Sequence, residues 1–369
     1  MDFLEFFAGG GMARAGLGLD WRCVYSNDYD AKKVASYVAN WGDQEIECGD
    51  VKSVEHVSLP SAKLAWASFP CQDLSQAGAG AGLGGEHSGT FWPFWDKIKG
   101  LKEAGRAPDL VVLENVQGSI TSHGGKDFAA ICDALAGTGY RVGAVLIDAA
   151  LFVPQSRLRL FVIGVSETID IPEHMVSDKP QSPWHSRSLS AAARALPERT
   201  RQMWLWWKLP VPPPRRTTLL DLLDDDELAQ GWHTEEETAR LLALMSELHK
   251  KKLEVVAGLD RRVVGSVYKR RRTEEGVKRQ RAEVRFDDVA GCLRTPTGGS
   301  SRQTVLIVQG ENVRSRFLQP REAARLMGLD DEYLLPDNYY EAYHLVGDGV
   351  VVPVVNFLAK NILTPLAQQ

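Results

Sequence analysis

The sequence predicts an α/β protein built on an open, mainly parallel sheet, with a smaller second domain placed late in the chain. Three observations carry this. Short apolar runs ("FLEFFAGGG", "CVYSNDYD", "AKLAWASFPCQ", "DLVVLENV") alternate with longer segments of helical spacing through the first half; strands buried on both faces, joined by crossover helices, have this rhythm. In "YRVGAVLIDAALFVPQSRLRLFVIGVS" two apolar runs join through Val153-Pro154-Gln155, which predicts an antiparallel pair closing the edge of the sheet. After about residue 168 the rhythm stops, and "KPQSPWHSRS" and "KLPVPPPRR" bring the proline, serine and charge of linkers and irregular loops.

The first element, "LEFFAGGGMARAGL", is a strand, three glycines (Gly9, Gly10, Gly11) and an amphipathic helix. Glycine there lets the backbone turn tightly and approach a ligand. Asp28 in "SNDYD" ends the second strand about 20 residues on, where a carboxylate can reach ribose hydroxyls. Asp50 in "ECGDV" ends the next strand-like segment. The pattern points to a nucleoside-bearing cofactor, either a nicotinamide dinucleotide or S-adenosylmethionine. The loop reads Gly9-Gly10-Gly11-Met12-Ala13-Arg14 and lacks the third glycine of the dinucleotide fingerprint.

"LAWASFPCQDLSQAG" follows, a buried strand stopped by Pro70. Cysteine is by default a small inert core residue, but Pro70 and the mainly polar stretch Gln72 to Ser75 place Cys71 at a rim. The glycine-rich "SQAGAGAGLGGEHSGT" beyond it has the composition of a mobile lid. Glu114 and Asn115 end the next strand on the same edge. A carboxyl group placed straight after four apolar residues is costly to ionise, so a raised pKa and a hydrogen-bonding or proton-donating role are expected. "QSRLRLF" predicts Arg157 and Arg159 on one face of a strand, where paired guanidiniums hold a carbonyl or phosphate and favour a nearby thiolate.

The closing elements are "QPREAARLMGL", a helix opened by Pro320, and "GDGVVVPVVNFLAKNIL", a tight turn leading to a buried helix interrupted near its start by Pro353. The composition is ordinary for a folded protein, 44% hydrophobic and 25% charged. No apolar run approaches the roughly 18 residues that span a bilayer, and "MDFLEFFAGGG" lacks the features of a signal peptide, so a cytoplasmic location and no membrane are expected. The five cysteines are scattered, with neither a CxxC pair nor histidines at ligand spacing, so neither a disulfide framework nor a metal site is expected. The net charge of -5 is unevenly spread. "RRVVGSVYKRRRTEEGVKRQRAEVR", residues 261–285, is either a solvated charged face or a surface for phosphates.

With these motifs in this order, the sequence resembles the DNA (cytosine-5)-methyltransferase family. The match runs through "FAGGG", "SNDYD", "GDV", "FPCQ", Gly89-Thr90, "ENV", "QSRLR", "QPREAARLMG" and "GDGV", covering the first 165 residues and about the last 55. The resemblance implies a Rossmann-like S-adenosylmethionine-dependent sheet with an antiparallel edge strand over residues 1–168. A smaller target-recognition domain would fill 169–338, and 339–369 would return to the catalytic domain. Cys71 would be the thiolate that adds to cytosine C6, Glu114 would bond the base's N3 and amine, Arg159 would hold O2, and Arg157 would support the nucleophile and lid. Phe7, Gly9, Gly11, Asp28, Tyr29, Asp50, Pro70 and Phe91 match cofactor-pocket positions. Asp28 would take the ribose hydroxyls, Asp50 the adenine amine, and Tyr29 the adenine face.

The substrate would be a flipped cytosine in double-stranded DNA, and the enzyme a monomer. Gly298-Gly299-Ser300-Ser301 would allow close approach to DNA, while Trp204, Trp206 and Trp207 suit core packing better than base stacking. Asp348 departs from the family, which commonly has asparagine there; a carboxylate beside the cofactor would pair with the methionine ammonium or change which sulfonium cofactor is preferred. The competing readings are a nicotinamide-dependent oxidoreductase, a non-catalytic DNA-binding relative and an RNA methyltransferase. The first leaves Cys71, Glu114 and the basic run unexplained.

Overall fold

The computed structural model describes residues 1–70, 83, 88–259, 261–274, 276–294 and 302–369. Cys71, most of the glycine-rich segment expected to act as a lid, and the stretch 298–301 lie outside the described residues. The chain forms two compact units. The first comprises Met1–Asp148, Leu158–Pro212 and Val350–Gln369, the second Ala149–Arg157 and Pro213–Gly349.

In chain order the first unit contains β1 (Asp2–Phe6), α1 (Met12–Leu17), β2 (Arg22–Asp28), α2 (Ala31–Trp41), β3 (Ile46–Cys48), β4 (Leu64–Ala67), α3 (Phe91–Glu103), β5 (Leu110–Val116), α4 (Lys126–Gly137), β6 (Tyr140–Asp148), β7 (Leu158–Ser166), β8 (Val176–Ser177), α5 (Arg187–Arg194), α6 (Glu198–Gln202) and β9 (Trp204–Trp207). The strands form one sheet in the order β3-β2-β1-β4-β5-β7-β6-β9-β8. β1 to β5 are parallel, so their carboxyl ends share one edge. The order reverses between β1 and β4, the place where open α/β sheets form a ligand crevice.

β4 and the first part of β5 read "LAWA" and "LVVL" because both faces are covered, and each of these residues is buried. Phe91, Phe94, Trp95 and Ile98 of α3 pack into the same core as Leu4, Phe6, Val111 and Leu113. Each such side chain removed from water stabilises the fold by about 1.5–3 kcal/mol.

β7 is antiparallel to both β5 and β6, as the sequence led one to expect, but this pair does not close the sheet. β9 adds to β6 in parallel, and the two-residue β8 ends the sheet antiparallel to β9. The reason is burial within "KPQSPWHSRS" and the residues C-terminal to it, where Trp184, Leu189, Leu196 and Trp207 are buried. Residues 169–212 therefore belong to the first unit, not to a domain beginning at 169. The tryptophans take the packing role, Trp207 fully buried and Trp204 against Phe128 and Trp206.

The second unit contains α7 (Glu235–Ala243), α8 (Glu247–Ala257), β10 (Val263–Glu274), β11 (Val277–Arg285), β12 (Thr304–Gln309), β13 (Asn312–Phe317), α9 (Pro320–Leu326) and α10 (Tyr339–Asp348). Its antiparallel sheet has the order β11-β10-β12-β13. Leu241, Met245 and Val256 of the helices meet Val267, Ala282, Val284, Leu306 and Val308 of the strands in its core. α9 opens with Pro320 as expected, and Gln319 and Glu322 close a capping box around its first turn.

The chain returns to the first unit at Val350, later than residue 339, with α11 (Val352–Leu358) and α12 (Thr364–Ala367). Pro353 lies in the first turn of α11 and does not interrupt it, because a first-turn proline lacks only an amide that would have no helical partner. α11 lies tightly on α1: a Cβ on Gly16 would run into Val355, and Asn356 Nδ2 donates to the Gly16 carbonyl at 3.2 Å. Contrary to the sequence reading, the stretch Tyr339–Ala367 is long and apolar enough to cross a membrane by length and composition. Its backbone leaves the helix at residues 349–351, and over half of its most apolar window is buried inside the protein.

Candidate active site

The glycine loop is shaped by backbone geometry that other residues resist. Gly9 and Gly11 have φ of 56° and 77°, and Phe7, a residue with a full side chain, is held at 58°. A Cβ on Gly11 would run into the Trp41 indole, whose Nε1 donates to the Gly10 carbonyl at 3.0 Å. Around Gly9 the space is open.

Asp28 closes the other side of this loop. Its Oδ2 accepts from the Gly9 amide at 2.7 Å and its Oδ1 from the Asp30 amide at 2.9 Å. Burial raises its pKa against the opposing pull of those amides and Lys33. Tyr29, the next residue, is 78% exposed and offers an open ring face. Asp50 lies after β3, where its Oδ1 accepts from the Lys52 amide at 2.9 Å. Asn27, to which sequence reasoning gave no role, links these segments: its Nδ2 donates to the carbonyls of Glu47 at 3.2 Å and Gly49 at 2.9 Å. The signal was present as an amide beside Asp28 at the buried end of the strand.

On the same sheet edge β5 and β7 bring two expected residues together. Val116 pairs with Arg159 and Glu114 with Phe161, so Glu114 and Arg159 are diagonal neighbours on one face, within reach of a long side chain. Arg159 Nε lies 3.2 Å from Glu114 Oε1, and both side chains are largely buried. The guanidinium offsets the cost of keeping a carboxylate there. Asn115, placed at this edge by the sequence but given no role, has one here. Its Nδ2 donates to the Phe69 carbonyl at 3.2 Å, while its Oδ1 accepts from Val116 N at 2.9 Å and Ser119 Oγ at 2.8 Å. It thereby fixes the end of the β4 segment, immediately before Pro70. Phe91, expected in the cofactor pocket, is fully buried against Phe69, Trp92 and Trp95 and supports this edge from within the core.

Arg157 and Arg159 do not form the expected strand pair. Arg157 precedes β7, belongs to the second unit and is buried there. It donates to the carbonyls of Leu293 at 3.0 Å, Gly347 at 3.0 Å and Gly349 at 2.8 Å. Period-2 alternation fails because the strand has not begun: Gln155 and Ser156 are bonded to Leu293, Leu326 and Ala290 of the second unit. Asp348 is exposed at the end of α10, between the two glycines that Arg157 holds. Of the described cysteines, Cys23 and Cys132 are core residues whose thiols burial pushes up, that of Cys23 to about 12.

A family model described as C-5 cytosine-specific DNA methylase matches residues 1–364. Type II methyltransferase M.HhaI of Haemophilus parahaemolyticus is 25% identical over 364 residues, covering 98% of this chain and 94% of that protein. Type II methyltransferase M.BsuFI of Bacillus subtilis is 31% identical over 173 residues, 46% of this chain and 41% of its own length. Among solved structures, a mutant DNMT2 of Spodoptera frugiperda superposes with a TM-score of 0.66 at 15% identity, covering 98% of each chain. The Dnmt2 methyltransferase of S. pombe does so with a TM-score of 0.60 at 16% identity over 99% of each.

Proposed function

Because the chain belongs to the C-5 cytosine-specific DNA methylase family, we propose that it transfers a methyl group from S-adenosylmethionine to C5 of a cytosine flipped out of double-stranded DNA, through a covalent bond from Cys71 to C6. The observation that carries this reading is the buried Glu114–Arg159 pair at the rim where β4 and β5 end, on the sheet edge that also holds the glycine loop.

S-adenosylmethionine, when bound, supplies an electrophilic methyl group. The donor set suits it: an open space at Gly9, a carboxylate at Asp28 for ribose hydroxyls, and the exposed Tyr29 ring for an adenine face. Asp50 takes the adenine amine, and Phe7 and Pro70 line the pocket. The Cys71 thiolate adds to C6 and makes C5 nucleophilic; the bound cofactor would supply the methyl group and leave as its neutral thioether, and loss of the C5 proton with β-elimination would free the cysteine. Glu114 in its protonated form donates to N3 and accepts from the exocyclic amine, and Arg159 holds O2, so the two stabilise charge spreading into the ring. Asn115 positions the segment that leads to Cys71 through its bond to Phe69. Arg157 acts through backbone, holding the turn around Asp348.

Reaching C6 costs a few kcal/mol of unstacking. The second unit supplies target recognition, and the enzyme works as a cytoplasmic monomer. The test is methylation of duplex DNA with labelled cofactor, followed by mapping of 5-methylcytosine. Cys71→Ala abolishes transfer while cofactor binding stays near normal, and 5-fluorocytosine in the target traps a covalent complex. Turnover by the alanine variant, or binding of a nicotinamide dinucleotide in place of S-adenosylmethionine, would sink the reading.

A further inference from the structure

β10 pairs with β12 only over Val263–Val267, yet it pairs with β11 out to Glu274. Beyond Val267 the two strands therefore continue as a two-stranded ribbon, six residues past Tyr268, or about 20 Å at the rise of an extended strand. Residues 270–273 and 276–280 are exposed.

The register sorts the ribbon's charges by face. Arg270 faces Arg281, Arg272 faces Arg279 and Glu274 faces Val277 on one side; Lys269 faces Ala282, Arg271 faces Gln280 and Thr273 faces Lys278 on the other. The first side is partly neutralised internally: three of its four arginines meet its two glutamates, and Arg279 has no ion pair among the described residues. Arg272 and Arg270 meet Glu283 at 2.5 Å and 3.6 Å, and Arg281 Nε donates to Glu274 at 2.8 Å. The second side has one cation at each of three successive levels, Lys269, Arg271 and Lys278, and no ion pair to any of them among the described residues. Successive levels are about 6.7 Å apart, close to two phosphate intervals at the ~3.4 Å rise of one DNA strand.

We infer that the Lys269–Arg271–Lys278 face of this ribbon tracks the phosphate backbone of double-stranded DNA, a role that rests on the function proposed above. One cation per level at even spacing matches a line of phosphates, and Gln280 and Thr273 add neutral hydrogen-bonding groups opposite Arg271 and Lys278. A two-stranded ribbon fits the major groove of B-form DNA, whereas the deep, narrow major groove of A-form RNA does not admit one. The first face carries two acids that engage three of its arginines, whereas the second carries no acid, so the two sides of the arm differ in the charge they leave open. Its contribution is affinity and position without base discrimination.

The experiment measures binding of the full chain to a fixed duplex at about 50 to 200 mM salt, for the wild type, R271S/K278S and R272S/E283S, with methylated sites mapped for each. All four positions are solvent-facing or in a surface ion pair. The inference expects R271S/K278S to lower the slope of log affinity against log salt by about 2, near 0.9 for each phosphate no longer neutralised, with the same sequence methylated. It expects R272S/E283S to leave the slope unchanged. Equal slopes for all three proteins overturn it, as does a changed methylated sequence in R271S/K278S at an unaltered slope. Loss of binding to single-stranded or duplex RNA, with DNA binding intact, also overturns it and assigns the ribbon to RNA. A wild type that methylates no cytosine in duplex DNA defeats the underlying function; equal slopes in an active enzyme defeat only the ribbon.

Discussion

Removing one partner of the Arg316–Glu322 pair should cost far more than any surface change in the second unit. Their side chains are 1% and 0% exposed. Glu322 Oε1 accepts from Arg316 Nη2 at 2.6 Å and the Asp224 amide at 2.9 Å; Oε2 accepts from Arg316 Nη1 at 2.7 Å and the Gln319 amide at 2.8 Å. In Glu322→Gln one oxygen becomes an NH2 group that faces two donors. Two hydrogen bonds are lost, at about 1–3 kcal/mol each, and the guanidinium is left buried without its counter-charge. The expected loss is about 4 kcal/mol, within the ~3–5 kcal/mol typical of breaking a buried pair. Arg316→Met strands the carboxylate and should cost a similar amount. R316M/E322Q removes both charges, so it should cost about 2 kcal/mol less than the sum of the single changes. Equilibrium urea unfolding gives the totals, and hydrogen exchange at the amides of α9 locates the loss. A single-variant cost under about 1 kcal/mol, or strict additivity, would refute the argument that complementary burial holds this pair.

Three further expectations concern the first unit. Glu5 is buried in β1, and burial pushes its carboxyl pKa up from 4.5 to about 8. The folded chain then keeps a proton that the unfolded chain loses, so stability falls as pH rises between those values, by up to ~5 kcal/mol at about 1.4 kcal/mol per pH decade. Glu5→Gln mimics the neutral form and should remove most of that slope in thermal melts from acid to alkaline pH; parallel curves would contradict it. Gly11→Ala should destabilise by at least ~1–2 kcal/mol and weaken S-adenosylmethionine binding measured by calorimetry, because φ of 77° and the Trp41 indole both oppose a Cβ. Asn115→Ala should lower the rate of methyl transfer about tenfold or more with little change in cofactor affinity, since it frees the Phe69 carbonyl and leaves the glycine loop alone. An equal loss in both quantities would point to general unfolding.

The relation between sequence and site varied with the range of the interaction. The glycine loop, Asp28 and Glu114 were legible because strand ends in a parallel sheet gather at one edge, and apolar runs mark those ends. Asn27 and Asn115 stood beside residues already singled out, but their carbonyl partners at Glu47, Gly49 and Phe69 belong to other segments.

Local pattern alone determined that an α/β sheet forms, that a strand turns through three glycines, and that a helix starts at Pro320, since hydrophobic periodicity and backbone preference act over a few residues. Tertiary structure decided the rest. "QSRLR" reads as one alternating strand, yet it divides: Arg159 pairs with Glu114 while Arg157 is held by carbonyls at 293, 347 and 349. "KPQSPWHSRS" reads as linker, yet Trp184 within it is buried in the first unit. The basic run reads as one patch of charge, and only the β10–β11 register sorts it into a partly paired face and an open one. In each case the deciding partner is distant in sequence or set by strand register, and no nearest-neighbour preference encodes which distant group a side chain will meet.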